Sequence, residues 1–144
     1  ALTLTDQGGN KQDTQTNTPG TDIYLATPAD PVAIVAADYT QIGTTSQTGA
    51  AKTWADWPTV DSGTITYDFN ATGIGNISKT GYSSFGLRNN NYDVAVVGPT
   101  WSNVAETYCV AYTVNQAGTD KDPVLVVTHA VAVGITTHPL LMGV

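Results

Sequence analysis

Apolar side chains recur at every second position in several short stretches of this chain, and residues that favour turns separate the stretches. Leu2 and Leu4 alternate with Thr3 and Thr5, which predicts a strand over residues 1–5. Residues 6–20 are polar and rich in Gly, Asn and Thr, and read as a long surface loop. A second strand is expected over 21–26, with Ile23 and Leu25 on one face. Pro28 and Pro31 mark a turn, and Asp30 ahead of Pro31 reads as the cap of one helical turn over 32–37, followed by a short extended piece over 38–43. Residues 50–57 read as a strand carrying Trp54 and Trp57.

The clearest alternation lies at 64–69, where Ile65, Tyr67 and Phe69 oppose Thr64, Thr66 and Asp68. Asn70 then caps a short helical segment over 71–78, with Ile74 and Ile77 three apart. Residues 83–88 form a strand, and 106–114 alternate Tyr108, Val110, Tyr112 and Val114 with Thr107, Cys109, Ala111 and Thr113. The stretch PVLVVTHA over 123–130 is almost continuously apolar, which predicts burial on both faces and a central place in a sheet. Many short strands broken by one or two helical turns make an all-β protein, a jelly-roll-like β-sandwich of antiparallel strands.

Composition agrees with a β-rich exterior protein. Charged residues are 12% of the 144, about half of the usual share of roughly 25%. Five basic against twelve acidic residues give a net charge of −7. That balance excludes a basic nucleic-acid surface and electrostatic docking on an anionic membrane. No run of 18 apolar residues exists to span a membrane. Cys109 is alone, so no disulfide forms within the chain, and its pattern is that of a strand residue facing inward. An initial Ala with no apolar leader reads as a processed chain or a piece of a longer one.

The residues YDFNATGIGNISKTGYSSFGLRNNNYDV (67–94), GPTWS (98–102) and QAGTDKDPVLVVTH (116–129) resemble a secreted jelly-roll family, the DNRLRE-type domain, which is similar to carbohydrate-binding modules. The upstream TPADPVAIVAADYTQIGTTS and ALTLTD fit the same resemblance. It implies a sandwich fold and a place on surface enzymes, adhesins or phage structural proteins. Two departures stand out. Such domains carry strands ahead of the one that residues 1–5 resemble, and this chain runs on past their usual end. The expected division is a sandwich over 1–130 and an apolar strand or tail over 131–144, without Asp, Glu, Lys or Arg. Val131, Val133 and Ile135 alternate within that tail, and with Leu140 and Leu141 they are candidate assembly residues, placed in the sandwich itself or exchanged with a neighbour.

Chemical signatures are sparse. His129 and His138 lie nine apart, no serine sits in a nucleophile elbow, and the aspartates cluster in turns, so no catalytic centre is expected. Asp6, Asn10 and Asp13 in one Gly-rich stretch, and Asp120 with Asp122 in a second, are oxygen-donor candidates for Ca²⁺, without EF-hand spacing. Trp101 and Trp54 are candidates for stacking on a sugar ring. Asn70 and Asn76 each open an N-glycosylation sequon. The sequence thus points to a non-enzymatic structural subunit of an extracellular, cell-surface or virion assembly, partnered by itself or by other surface proteins. The alternative is a carbohydrate-binding module of a larger secreted protein, partnered by glycans.

Overall fold

The computed structural model describes residues 1–14, 18–100, 103–104 and 106–129. Its elements are β1 (Leu2–Asp13), β2 (Gly20–Ala26), β3 (Ile42–Ser46), β4 (Lys52–Thr53), β5 (Thr64–Tyr67), α1 (Ala71–Gly75), β6 (Phe85–Asn89), β7 (Thr107–Ala111) and β8 (Val124–Leu125). They form two four-stranded antiparallel sheets.

In the first sheet β1 pairs β5 along one edge, from Leu2↔Tyr67 to Thr5↔Thr64. Its other edge takes β8 at Leu2 and Thr3, then β7 from Asp6 to Asp13. In the second sheet β2 is central. β6 pairs it from Thr21↔Asn89 to Leu25↔Phe85, while β4 and β3 share the opposite edge.

The alternation at 64–67 does what a half-buried strand should: Ile65 and Tyr67 are buried, and Thr64 is exposed. With Leu4 of β1, Ile23 of β2 and Trp57 they make the core between the sheets. Leu2, Phe69, Phe85, Cys109 and Ala111 close its margins. The Phe69 and Phe85 rings meet at 4.9 Å, tilted by 46°, a geometry that aromatic quadrupoles favour.

The polar tips of the core aromatics converge on one hydroxyl. Trp57 Nε1–H donates to Thr21 Oγ1 at 3.1 Å, and the Tyr67 hydroxyl lies 2.7 Å from the same oxygen. Thr21 is buried, so this oxygen lets two large rings enter the core with their polar groups satisfied. Burial drives the Tyr67 phenol far above its usual range, and it stays neutral.

Several sequence expectations are corrected. Residues 6–20 are not a loop throughout: β1 continues to Asp13. Gly8 and Gly9 take positive φ (74° and 65°), and the register against β7 jumps between Asp6↔Ala111 and Lys11↔Cys109. These glycines make a bulge that carries a polar strand onward. A Cβ on Gly9 would stand 2.6 Å from the Thr59 carbonyl oxygen.

The helical turn expected over 32–37 lies further on, as a 3₁₀ helix over Ala36–Gln41, and the extended piece starts only at Ile42. Asp38 sets that start. Its carboxylate accepts from Val35 N at 2.9 Å and from Ala29 N at 3.4 Å, folding the proline turn back on itself. The Asp30 carboxylate accepts from Val32 N at 2.9 Å, a local turn rather than a helix cap. Residues 50–57 form only the two-residue β4 before a 3₁₀ turn, Trp54–Asp56. Asp56 accepts from Thr53 N at 2.7 Å and from Thr53 Oγ1 at 2.8 Å, which draws the chain into that turn and holds the Asp56 carboxyl below its ordinary range.

The largest correction concerns 123–130. Among the described residues the expected central strand is a two-residue strand that pairs β1 alone, at the edge of the first sheet. Val124, Leu125, Val126 and Val127 are 49%, 40%, 58% and 46% exposed.

Candidate functional site

In the first oxygen-rich stretch Asp6 and Asp13 are held in local hydrogen bonds. Asp6 is fully buried, and its Oδ2 accepts from Gly9 N at 2.5 Å, spanning the bulge. Asp13 turns to the far end, accepting from Thr18 N at 2.7 Å and Thr107 Oγ1 at 2.9 Å. Asn10 lies in β1 between them, and its side chain lies outside the described residues. Asp122 is half-buried while Asp120 is exposed. Among the described residues no group of three or more His, Cys, Asp or Glu side chains gathers around a common point.

The aromatic candidates are engaged from within. Lys11 reaches across from β1 and donates its ammonium to the carbonyls of Trp54 (3.0 Å), Ala55 (3.2 Å) and Trp57, capping the open end of the 3₁₀ turn. On the way it covers the Trp54 ring at 4.5 Å. A sugar ring would have to compete with that ammonium for this face. Trp57 is core, and Trp101 lies outside the described residues.

Other basic groups do likewise. Arg88 stands 5.5 Å from the Tyr39 ring centre and 6.0 Å from that of Tyr24, and Lys121 lies 4.4 Å from the centre of Tyr112. Three of the five basic side chains are thus laid over aromatic rings. The Arg88 guanidinium also donates to both carboxylate oxygens of Asp93 (2.6 and 2.9 Å) and to the carbonyls of Ile42 and Gly43. This fork ties β3 to the π-helical turn Asn90–Val94 and lowers the Asp93 carboxyl.

Both sequons have structural work. Asn70 caps α1 by accepting from Gly73 N at 2.9 Å, and its amide nitrogen donates to the carbonyls of Ser46 (3.2 Å) and Thr48 (2.8 Å). The Asn76 amide nitrogen donates to Gln47 Oε1 at 2.7 Å. Cys109 packs at the core margin, where burial first and then the Asp6 charge raise its thiol to about 11. It is held as an inert thiol. His129 is exposed, and His138 lies outside the described residues.

The apolar surface is of another kind. Exposed Ile34, Val35 and Tyr39 rim a cleft of about 480 Å³ with Pro28, Pro31 and Phe85. A groove of about 380 Å³ runs beside β8, between Phe69, Ile74 and Ile77 on one bank and Val126 and Val127 on the other. Ala1 and Asp68 close its end, and Thr128 lies along it.

The backbone at this groove has a definite polarity. Ala1 and Val126 exchange both hydrogen bonds, N–H to carbonyl at 2.9 Å each way. In an antiparallel ladder such a bonded pair alternates with residues whose N–H and C=O turn outward. Leu125 is one of these, paired across to Leu2 without bonds to it. Among the described residues β8 pairs β1 alone, so its outer edge is an unpaired ladder flanked by exposed valines. Sequence reasoning missed this edge because an apolar run reads as buried. The assembly candidates Val131, Val133, Ile135, Leu140 and Leu141 all lie outside the described residues.

No helix among the described residues is long and apolar enough to cross a membrane. No family model, curated protein or solved structure matches the chain.

Proposed function

We propose that this chain is a non-enzymatic structural subunit of an extracellular or virion surface assembly, a filament, fibre or capsid decoration, built on a jelly-roll-like sandwich. The observation that carries the reading is the outer edge of β8: among the described residues it is an unpaired strand edge bordered by four consecutive exposed apolar residues. An exposed apolar edge is a template for another strand, and natural sandwiches blunt such edges unless the edge is used. Val124–Val127 itself carries no Pro and no charged residue. Exposed valines and isoleucines elsewhere on the sandwich, with only 12% charged residues, suit close packing of copies.

The carbohydrate-binding alternative needs free aromatic faces in one groove. Lys11 over Trp54, the burial of Trp57, and the placement of Tyr108 on β7 and Tyr82 in the loop ahead of β6 weigh against it. Light scattering on the full chain after size exclusion, over a hundredfold range of concentration, tests the structural reading. Oligomers growing with concentration support it. A monomer throughout that also binds a glycan array would replace it with the alternative.

A further inference from the structure

We propose that, independently of how copies of the chain associate, the peptide bond between Asp122 and Pro123 opens by itself when the folded protein meets acid, cutting the chain just ahead of β8 without a protease.

The step needs an aspartate followed by a proline. An aspartate carboxylate reaches its own main-chain carbonyl carbon through a five-membered ring, an intramolecular attack of high effective concentration. A proline nitrogen belongs to a tertiary amide, and once protonated it leaves readily. A carboxylate oxygen of Asp122 bonds to the Asp122 carbonyl carbon, and the bond from that carbon to the Pro123 nitrogen breaks with its electron pair going to nitrogen. Acid supplies the proton that nitrogen takes. Asp122 is left as a cyclic anhydride, which one water opens to two carboxyl groups. Nothing is oxidised or reduced, and the two pieces together weigh one water more than the parent.

The chain holds two such pairs, Asp30–Pro31 and Asp122–Pro123, and their surroundings differ. Asp30 is exposed, and its carboxylate is engaged across the proline, accepting from Val32 N at 2.9 Å. Asp122 is half-buried, and its Oδ1 is shielded from solvent without a hydrogen-bond partner among the described residues. A carboxylate oxygen stripped of water and of donors is a stronger nucleophile than a solvated one. No hydrogen bond to that oxygen has to break before it turns on its own carbonyl.

Both sides of the bond are anchored. Asp122 N donates to the Thr119 carbonyl at 3.4 Å and closes the turn. Lys121 donates to the Tyr112 hydroxyl at 3.0 Å and stands 3.5 Å from the Asp61 carboxylate. With Asp120 beside Lys121, these are the titratable groups tied to the turn. The ammonium is drawn to Asp61, and among the described residues no cation pairs with Asp122. On the other side Pro123 leads directly into β8, held against β1 by Leu2, Thr3 and the two Ala1–Val126 bonds. The cut therefore leaves β8 in place and turns it from a covalent part of the sandwich into a bound strand.

The test incubates the full chain at the lowest pH at which near-ultraviolet circular dichroism reports the folded state, at neutral pH, and at the same low pH in unfolding urea. Intact-mass spectrometry and N-terminal sequencing read the products. Two pieces should accumulate in acid, one ending at Asp122 and one beginning at Pro123, with Asp30–Pro31 intact. The rate should drop at neutral pH, and drop about tenfold or more in urea, where the held geometry is lost. Asp122→Asn should abolish the cut, and Asp30→Asn should leave it unchanged. If Asp122→Asn does not fold as the parent does, Pro123→Ala takes its place; it keeps the carboxylate, replaces the tertiary amide and should slow the cut strongly. A folded parent that stays intact in acid would overturn the proposal. Equal opening of both Asp–Pro bonds, or a rate unchanged by urea, would overturn it as well, because either outcome makes the cut a property of the dipeptide and not of this site.

Discussion

The two edges of the first half of β1 meet opposite fates. Toward β5 and β2 it closes a core in which Leu4, Ile23, Trp57, Ile65 and Tyr67 lose almost all contact with water, and even Thr21, Asp22, Gln47 and Thr48 are buried and bonded. Toward β8 it supports four consecutive apolar residues that remain about half exposed. Hydrophobicity alone does not sort these regions: the β8 stretch is the more apolar of the two. The difference is geometric. The core strands have a sheet facing them, whereas among the described residues β8 pairs β1 alone. Apolar burial stabilises only where a second layer exists to receive it, and an apolar strand without one is a surface for another molecule.

The sharpest way to break that contrast is a deletion on each side. Tyr67→Ala removes a fully buried ring and the partner of Thr21, and should cost about 3–5 kcal/mol by urea unfolding; a cost under 1 kcal/mol would mean the core is not where the sheets meet. Gly73→Ala comes next. Its Cβ would stand 2.1 Å from the Gln47 carbonyl oxygen and 2.5 Å from Phe69 Cδ1, and overpacking of this kind costs roughly 1–3 kcal/mol. A neutral melting temperature would show that α1 is free to move off the sandwich.

Acid sharpens the comparison from a third side. The Asp93 carboxyl is lowered, chiefly by its hydrogen bonds from Arg88. The folded state therefore holds this proton less readily than the unfolded chain, whose carboxylate titrates near about 3.9. The contribution of the pair is fully present above that pH and is lost as pH falls through the lower folded value. Asp93→Asn should flatten the fall in stability below about pH 4, measured as urea midpoints from pH 2 to 6. An unchanged acid limb would show that the Arg88 fork does not hold β3 to the turn at 90–94. The smallest effect belongs to β8: Val126→Thr should change the stability of the dilute chain by no more than about 0.5 kcal/mol, against the several expected inside the core. A cost like that of Tyr67→Ala would mean that β8 is core after all.

The sequence made legible what local pattern controls. Period-two alternation located β5, β2 and β6, and Asn70 ahead of a short apolar spacing announced α1 and its cap. What escaped was set at a distance. The polar second half of β1 pairs with β7, with Lys11 opposite Cys109, and no local pattern in QGGNKQD reveals a partner almost a hundred residues away. Residues 50–57 fold into a 3₁₀ turn because Asp56 and Lys11 satisfy its two ends, and Lys11 lies more than forty residues upstream. Asp6 and Asp13 read as parts of a loop because a bulge through Gly8 and Gly9 is indistinguishable from a turn by composition. Asp6 Oδ2 accepts from the Gly9 amide, and Asp13 from the Thr18 amide and the Thr107 hydroxyl. The apolar run at β8 was visible, but its burial was inferred from chemistry alone, and burial needs a facing layer.

Hydrogen exchange resolved at the amides of Leu125 and Val126 reaches the unfinished edge most directly. Val126 donates to the Ala1 carbonyl within one molecule, so its protection should not depend on concentration. The Leu125 amide points outward and should exchange rapidly in dilute solution, then gain protection of at least tenfold as the concentration rises into the assembling range. Equal, concentration-independent protection of both amides in a monomer would contradict the claim, because the edge would then already be complete within a single chain.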